Sequence, residues 1–250
     1  MSQPKVGIQP IIYGQRPQTD LQGIVAECKT VGYAGVEGGS YVHLYGLATV
    51  KELFARHEIT FTGVHTGYGD FTDEAKLHAN LAFVKGMGAR YLICSGVADT
   101  KTVAGYEQSA ETFNRVGTLC QEEGVTFCYH NHAFEFDALP DGTKGIHRLA
   151  DQTDTTLVKF NIDVYWVTVG GEDPVAFIRR YTDRGGYFHF KDGAPGSFTE
   201  LGRGTVDLKG SLAAAIEVGA DWIVYEQDRT AQEPLTSITE SRAYLRTIGL

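Results

Sequence analysis

Two imidazoles and a carboxylate follow an apolar run in the middle of the chain. Residues 127–136 read Phe-Cys-Tyr-His-Asn-His-Ala-Phe-Glu-Phe and include His130, His132 and Glu135. Side chains two residues apart on a strand point to the same face, so His130 and His132 are predicted to share one face. Imidazole and carboxylate groups gathered in this way are suited to holding a divalent metal or to moving protons.

Three later apolar runs also end in ionisable side chains. They finish at Asp163, at His189 with Lys191 two residues further on, and at Glu226. Together with His130, these groups offer mixed nitrogen and oxygen ligands, which suit Mn²⁺, Zn²⁺, Fe²⁺, Co²⁺ or Ni²⁺ better than Ca²⁺. The predicted metal ligands are His130, Asp163, His189 and Glu226.

Each predicted ligand also has a structural interpretation of its own. Asp163 could cap the turn that follows its strand, and Glu226 could pair with Arg203 or Arg229. Four neighbouring apolar runs that each end in such a group nevertheless favour one shared site over four independent structural roles.

Other ionisable and aromatic residues are candidates for contacting a substrate. Glu37 and His65 end two earlier apolar runs and are predicted to line the same pocket, with structural pairing as the alternative. The ring of Trp166 either stacks on a sugar ring or packs in the core. Arg203 either contacts an anionic substrate group or pairs with Glu200 at the surface.

Short apolar runs alternate with longer helical patterns along the whole chain. The candidate strands are residues 5–9, 33–37, 60–65, 91–94, 126–131, 158–163, 186–189 and 222–226. The candidate helices are residues 20–31, 49–57, 73–87, 105–123, 145–151, 173–181, 208–218 and 234–248. This alternation implies parallel strands joined by right-handed crossovers.

Eight strand–helix units in 250 residues predict one (β/α)₈ barrel domain over residues 1–250. A doubly wound open sheet is the alternative, but no GxGxxG motif follows the first strand. In such a barrel the C-terminal strand ends converge on one mouth, which would bring the ionisable residues together. Residues 193–207 are the longest irregular stretch and are predicted to form a loop over that mouth.

Composition and net charge argue against several kinds of binding partner. The formal net charge of −9 disfavours nucleic acid and anionic membranes as partners. The sequence has no run of 18 apolar residues and no signal-peptide pattern at its start, so a cytoplasmic protein is expected. The four cysteines lack CxxC spacing and are expected to be reduced, buried thiols.

At its strand ends the sequence resembles the sugar phosphate isomerase/epimerase family of xylose isomerase-like barrels. The resemblance spans nearly the whole chain and is carried by residues 32–37, 129–136, 161–166, 189–192 and 202–207, together with Glu226. It implies a (β/α)₈ TIM barrel that binds a small sugar. Family members often form dimers or tetramers, so a homo-oligomer is also expected.

The resemblance implies a divalent metal that chelates adjacent oxygens of a keto-sugar. Manganese is expected first, with zinc, magnesium, cobalt or iron as alternatives. In the ketose 3-epimerases of this family, four ligands come from strands five to eight as Glu, Asp, His and Glu. The last three positions match Asp163, His189 and Glu226, whereas His130 occupies the first.

The implied reaction is isomerisation or epimerisation, in which a proton next to the carbonyl is removed through a metal-stabilised enediolate. Glu226 is the expected base, and His132, Lys191 and Glu135 are the other catalytic candidates. His130 replaces one of the paired carboxylates of the epimerases, which keeps β-elimination by a keto-glycoside lyase, hydratase or dehydratase as an alternative.

Two further alternatives are not sugar-converting enzymes. A non-catalytic sugar-binding barrel is the first of them. DNA repair, the activity of the related endonuclease IV barrels, requires a basic surface, and the net charge of −9 argues against it.

Overall fold

Eight parallel strands close into a barrel, as the alternation of strand and helix patterns predicts. The computed structural model describes residues 3–250, and the barrel strands follow the spatial order β1-β10-β7-β6-β5-β4-β3-β2. The strands are β1 (Lys5–Ile8), β2 (Gly35–Gly39), β3 (Thr60–Gly67), β4 (Tyr91–Ser95), β5 (Thr126–His130), β6 (Val158–Asp163), β7 (Tyr187–Phe190), β8 (Asp192–Ala194), β9 (Ser197–Thr199) and β10 (Trp222–Tyr225).

Helices surround the barrel and connect its strands. They are α1 (Leu21–Val31), α2 (Leu47–Arg56), α3 (Gly69–Thr72), α4 (Glu74–Met87), α5 (Val103–Glu122), α6 (Gly145–Gln152), α7 (Val164–Val169), α8 (Pro174–Arg180), α9 (Leu208–Glu217) and α10 (Pro234–Thr247). Short 3₁₀ turns lie at Pro10–Tyr13, Arg16–Gln18, Ser40–Leu44, Phe134–Phe136 and Thr182–Arg184. Among residues 3–250, none of the helices combines the length and the apolar character needed to cross a membrane.

Two apolar clusters hold the barrel together. The larger one fills the space between the strands and the surrounding helices. The smaller one is formed by inward-facing strand residues, which are Tyr91, Ile93, Cys128, Tyr187, Trp222 and Val224. Because side chains alternate along a strand, Tyr187 and Val224 lie one layer below the residues that follow them by two positions. Those residues are His189 and Glu226, so the apolar cluster forms the floor of the mouth.

The four cysteines are free thiols in buried positions, as expected from their apolar surroundings. The predicted strands and helices are all present, and their ends differ from the sequence-based bounds by at most two residues. The pattern did not predict α7, which follows Asp163 directly. Its sequence Val-Tyr-Trp-Val-Thr-Val is rich in β-branched and aromatic residues, which favour a strand when local preference alone decides.

The segment predicted as a loop over the mouth contains the antiparallel hairpin β8–β9. Its return path is fixed by the buried carboxylate of Asp192. That carboxylate accepts backbone N–H bonds from Gly193, Gly202, Gly204 and Val206 at 2.8, 2.9, 3.0 and 3.2 Å. Glycine is required at position 204, because a Cβ there would lie 2.1 Å from Asp192 Oδ1. The mouth is therefore bounded on the β7 side by an anchored segment.

We predict that Asp192→Asn loosens this segment without unfolding the barrel. An amide cannot accept the two bonds that Oδ2 receives from Gly202 and Gly204, so about 1–3 kcal/mol of stability is expected to be lost. Hydrogen exchange at these two glycines should accelerate, whereas the exposed control Asp151→Asn should leave them protected. Unchanged exchange in Asp192→Asn would show that the carboxylate does not hold the segment.

Candidate functional site

The four predicted metal ligands meet at the C-terminal end of the barrel. His130 and Asp163 end β5 and β6, His189 lies on β7, and Glu226 follows β10. All four side chains are buried, and one ligand atom from each lies within 4.8 Å of the others. Ligand atoms around one cation at about 2.0–2.2 Å are separated by up to roughly 4.4 Å, so small side-chain adjustments suffice to hold one metal.

Asp163 divides its two oxygens between structure and site. Oδ1 accepts the backbone N–H groups of Tyr165 and Trp166 at 2.9 and 3.1 Å and caps α7. Oδ2 is buried, has no hydrogen-bond partner within residues 3–250, and lies 3.3 Å from Lys191 Nζ. The capping interpretation of Asp163 is therefore confirmed, and the other oxygen remains available to a cation.

The imidazole of His130 is neutral and lies beside the other three predicted ligands. Its Nδ1 is buried and lacks a hydrogen-bond partner in the described part of the chain. Burial holds the pKa of His130 well below its usual range, and the nearby imidazoles of His189 and His65 add to the shift. Neutral imidazole is the form that binds metals, so this residue fits a ligand role.

The imidazole of His189 lies between two buried carboxylates. Its Nε2–H donates to Glu37 Oε2 at 2.9 Å, and its Nδ1–H donates to Glu226 Oε2. Burial opposes protonation, but Glu37 and Glu226 outweigh it and raise the pKa of His189 to about 10. A metal at Nδ1 would replace that proton and leave the Nε2–H bond to Glu37, which is the usual support of a metal-binding histidine.

Glu37 lies beneath the mouth and not on its wall, which differs from its predicted place in the pocket. Its carboxylate accepts bonds from His65 Nδ1–H at 2.8 Å, Tyr187 Oη–H at 2.7 Å and His189 Nε2–H. Burial opposes ionisation, but the imidazoles of His189 and His65 lower the pKa of Glu37 to about 2. The Glu37, His65 and His189 side chains also approach within 4.8 Å of one another. Because both Glu37 oxygens already accept hydrogen bonds, we assign this group to orientation of the imidazoles.

Glu135 and His132, the two catalytic candidates that follow β5, occupy different places. The carboxylate of Glu135 is buried away from the cavity, where it accepts Tyr129 Oη–H at 2.6 Å and the His132 backbone N–H at 2.8 Å. Burial raises the pKa of Glu135 to about 7. This carboxylate holds the turn after β5, which differs from the direct catalytic role predicted for it.

His132 lines the mouth cavity. Its ring stacks on Phe134 at 5.5 Å and packs near Trp166 at 5.7 Å, between ring centroids. Burial lowers the pKa of His132 to about 4, so its imidazole is neutral near pH 7. Nδ1 is buried and finds no hydrogen-bond partner within residues 3–250.

Lys191 is buried among three carboxylates. Its Nζ lies 2.8 Å from Asp228 Oδ2, 3.3 Å from Asp163 Oδ2 and 3.4 Å from Glu226 Oε1. Burial opposes the charge on Lys191, but Asp163, Glu226 and Asp228 outweigh it and raise its pKa above the usual range. Burial likewise opposes ionisation of Glu226, and Lys191 and His189 hold the pKa of Glu226 well below its usual range.

Asp228 is a further residue of the site, and it is absent from the residues predicted from the strand ends. Its position two residues after Glu226 was the available signal, since alternate residues along an extended segment point the same way. Asp228 lines the mouth cavity, whereas Arg203 lies outside it and pairs with Glu200 at 3.4 Å and Glu240 at 3.1 Å. The predicted surface pairing of Arg203 is therefore the one observed.

The mouth cavity has a volume of about 340 Å³. Its inner wall carries the ionisable residues, which are His65, His130, His132, Glu226 and Asp228. Its outer wall is formed by the loops after β1 and β2, with Pro10, Ile11 and Tyr41 among the lining residues. The ring of Trp166 packs near the lining residue His132, at 5.7 Å between ring centroids, and its centroid lies 5.0 Å from Lys191 Nζ. A cavity of this size accepts a small molecule with several polar groups.

Comparisons with known proteins agree with the architecture. A sequence model of the xylose isomerase-like TIM barrel family matches residues 25–248. An inosose dehydratase from Geobacillus kaustophilus (strain HTA426) is 26% identical over 303 aligned positions, which cover 96% of this chain and 93% of the relative. That alignment is longer than this chain, so the relative carries internal residues that are missing here.

Two solved structures share the fold. A sugar phosphate isomerase/epimerase from Parabacteroides distasonis superposes with a TM-score of 0.84 at 20% identity, covering 98% of this chain and 94% of the other. The IolI protein, whose structure was solved with a bound zinc atom, superposes with a TM-score of 0.77 at 15% identity, covering 98% and 97%.

We predict that Asp163→Asn removes metal binding while keeping the α7 cap. The amide oxygen can still accept the two backbone N–H bonds, but the negative charge facing the site is lost. Calorimetric titration with Mn²⁺ should show affinity reduced by more than about 100-fold, beyond the 10–100-fold typical of outer-shell changes. Asp163→Ala should lose metal and also about 0.5–2 kcal/mol of stability with the cap. Retained metal affinity in Asp163→Asn would exclude Asp163 as a ligand.

Glu37→Gln is expected to weaken binding of the same metal, although Glu37 is not itself a predicted ligand. The amide cannot accept all three bonds now made to the carboxylate, so the ring of His189 is no longer fixed. We expect a 10–100-fold loss of Mn²⁺ affinity by titration, the range seen when an outer-shell partner of a ligating histidine is removed. Equal affinity in Glu37→Gln and the unaltered protein would show that His189 does not need this support.

Proposed function

Because the chain belongs to the xylose isomerase-like TIM barrel family, we propose that it is a divalent-metal-dependent enzyme that dehydrates a polyhydroxy ketone. In this reaction a proton is removed from the carbon next to the carbonyl, and the β-hydroxyl leaves as water. The observation that carries the proposal is the meeting of four buried ligand atoms within 4.8 Å beside a small-molecule cavity.

His130, Asp163, His189 and Glu226 are the residues that would hold the metal. A divalent cation held there supplies a Lewis acid that polarises the substrate carbonyl and makes the adjacent proton removable. The zinc atom in the IolI structure and the name inosose dehydratase of the Geobacillus relative support a metal and a polyhydroxy ketone, respectively. Manganese remains the expected metal for this chain, with zinc as the main alternative.

Glu226 is the proposed base. Its carboxylate lines the cavity and stays ionised, because Lys191 and His189 hold its pKa well below the usual range despite burial. One carboxylate is sufficient for dehydration. Glu226 accepts the proton from carbon and returns it to the departing hydroxyl, so water leaves and the carboxylate is regenerated.

The position of His130 favours dehydration over epimerisation. Inverting a carbon centre requires proton-carrying groups on both faces of the substrate, whereas His130 is a buried neutral imidazole on the β5 side. His132 in the cavity wall is the proposed hydrogen-bonding group for substrate oxygens, and the buried Lys191 lies next to that wall, 2.8 Å from Asp228 Oδ2. Trp166 borders them and supplies an apolar face against which a ring can pack.

Isomerisation or epimerisation of a keto-sugar is the second candidate. The observation that favours it is that the neutral imidazole of His132 lines the cavity from the side of β5, where it would carry a proton at the other substrate face. The two reactions differ in their products, since only dehydration loses a hydroxyl.

Proton NMR in D₂O distinguishes the candidates. The Mn²⁺-loaded protein would be mixed with an inosose or with a simple ketose, and the reaction would be stopped with a chelator. Dehydration predicts that the signal of the hydrogen on the carbon that carries the β-hydroxyl disappears. Signals of an unsaturated product should appear in its place. Deuterium next to an intact carbonyl compound would support the isomerase alternative, and unchanged spectra for both sugars would contradict both.

Glu226→Gln should abolish turnover with the substrate that reacts. We expect kcat to fall by at least about 10²–10⁴-fold, the usual contribution of a positioned acid–base group. Saturating Mn²⁺ must be present, because the same residue is a proposed ligand. Glu111→Gln, at an exposed position on α5, is the matched control and should retain full activity. Near-normal kcat in Glu226→Gln would refute the base assignment.

A further inference from the structure

The Lys191–Asp228 pair has no place in the metal-ligand set, yet it lies against that set. We propose that Asp228 is a positioning residue that keeps the Lys191 ammonium off Asp163 and Glu226 when a cation binds there. Lys191 then directs its remaining N–H bonds to a substrate oxygen. The inference rests on the proposed function, in which Asp163 and Glu226 are metal ligands.

Lys191 and a metal compete for the same oxygens. The ammonium is 3.3 Å from Asp163 Oδ2, the oxygen that the α7 cap leaves available, and 3.4 Å from Glu226 Oε1. An ammonium and a divalent cation repel each other at such distances, and the repulsion is strong where water is excluded. Metal binding therefore requires Lys191 to give up these two contacts.

Aromatic rings limit where the ammonium can go. Nζ lies 5.0 Å from the ring centroid of Trp166 and 5.6 Å from that of Phe198, which is part of the hairpin β8–β9. Lys191 is fully buried, so its charge cannot reach bulk solvent without opening this wall. The available movement is along the line between the predicted ligands and Asp228.

Asp228 is placed to receive the ammonium. Its Oδ2 makes the shortest of the three ion-pair contacts, at 2.8 Å, and its side chain is 32% exposed at the cavity wall. It lies outside the group of four ligand atoms, so it can retain Lys191 while those atoms hold a metal. A lysine ammonium has three N–H donors, so an ammonium paired with Asp228 still has N–H groups for a substrate oxygen placed beside Asp228.

The proposal predicts that the effect of Asp228 on metal affinity depends on Lys191. Without Asp228 the ammonium stays on Asp163 and Glu226 and excludes the metal. Without Lys191 there is nothing for Asp228 to hold away. The two substitutions should therefore be strongly non-additive, which a double-mutant cycle measures.

The experiment is calorimetric titration of the metal-free protein with Mn²⁺ alone, in the absence of substrate. Asp228→Asn is expected to weaken binding by about 10-fold or more, in the range of outer-shell effects. Lys191→Met should bind Mn²⁺ at least as tightly as the unaltered protein, and the double variant should match Lys191→Met. Asp151→Asn and Lys209→Met, both at exposed positions, are matched controls and should not change affinity.

Two results would overturn the proposal. An equal loss from Asp228→Asn with and without Lys191 would mean that Asp228 acts through its own charge or as a ligand. No loss in Asp228→Asn would mean that Lys191 needs no such partner. Lys191→Gln serves as a second variant if Lys191→Met is unstable, and thermal unfolding identifies that case.

Turnover gives an independent readout. At saturating Mn²⁺, Asp228→Asn should raise KM for the substrate, because the ammonium is no longer held beside residue 228, which lines the cavity. If no substrate of the proposed class reacts, the Mn²⁺ cycle still tests the pair by itself. Turnover by the unaltered protein with an additive Mn²⁺ cycle would overturn this inference and leave the proposed function in place.

Discussion

The site depends on how one imidazole is held between two buried carboxylates. Isolated charges in a protein interior cost several kcal/mol each unless they are paired. His189 pairs with Glu37 through one ring nitrogen and with Glu226 through the other. The register of the barrel fixes this arrangement, because His189 lies opposite Asp163 on β6 and opposite Val224 on β10. The register of the backbone thus places the predicted ligands side by side.

Below this imidazole, the floor of the mouth makes the geometry rigid. Tyr187 belongs to the apolar inner cluster, but its hydroxyl donates to Glu37 and bonds Thr62. The carboxylate of Glu37 is therefore fixed from below and from the side. Asp163 is fixed in the same manner by the α7 cap, which occupies one oxygen and leaves the other for the site. Preorganised ligands of this type lose little freedom when they bind a cation.

The residues at the strand ends of the site could be predicted because each places an ionisable side chain at the end of an otherwise apolar strand. An apolar strand that ends in histidine, aspartate or glutamate buries a polar group at the point where parallel strands converge. Strict alternation of strand and helix patterns then implied a closed barrel, and a closed barrel implied one shared mouth. His130, Asp163, His189 and Glu226 are together for that reason.

Contacts across the barrel could not be predicted in the same way. Glu37 reaches His189 and Tyr187 from a strand that is distant in sequence, so its place beneath the mouth depends on side-chain direction. Glu135 lies close to His132 in sequence but turns back to Tyr129, which points to the opposite face of β5 from His130. Asp228 follows the last strand in a segment without regular structure, where alternation is a weak guide.

The Lys191 ammonium explains how two buried carboxylates lie near one another. It offsets the charges of Asp163 and Glu226, and the rings of Trp166 and Phe198 lie close to it. Lys191 must give up its contacts with Asp163 and Glu226 when a divalent cation binds to these carboxylates. Asp228 is then its remaining charged partner.

Anomalous diffraction at the manganese edge, from crystals grown with Mn²⁺, tests the account most directly. It predicts one peak at the barrel mouth, within about 2.0–2.4 Å of an atom from each of His130, Asp163, His189 and Glu226. Lys191 Nζ should then stay beside Asp228 and lie farther from Asp163 Oδ2 than the present 3.3 Å. A peak coordinated by Glu37 and His65, or no peak at the mouth at saturating Mn²⁺, would contradict the assignment of this metal site.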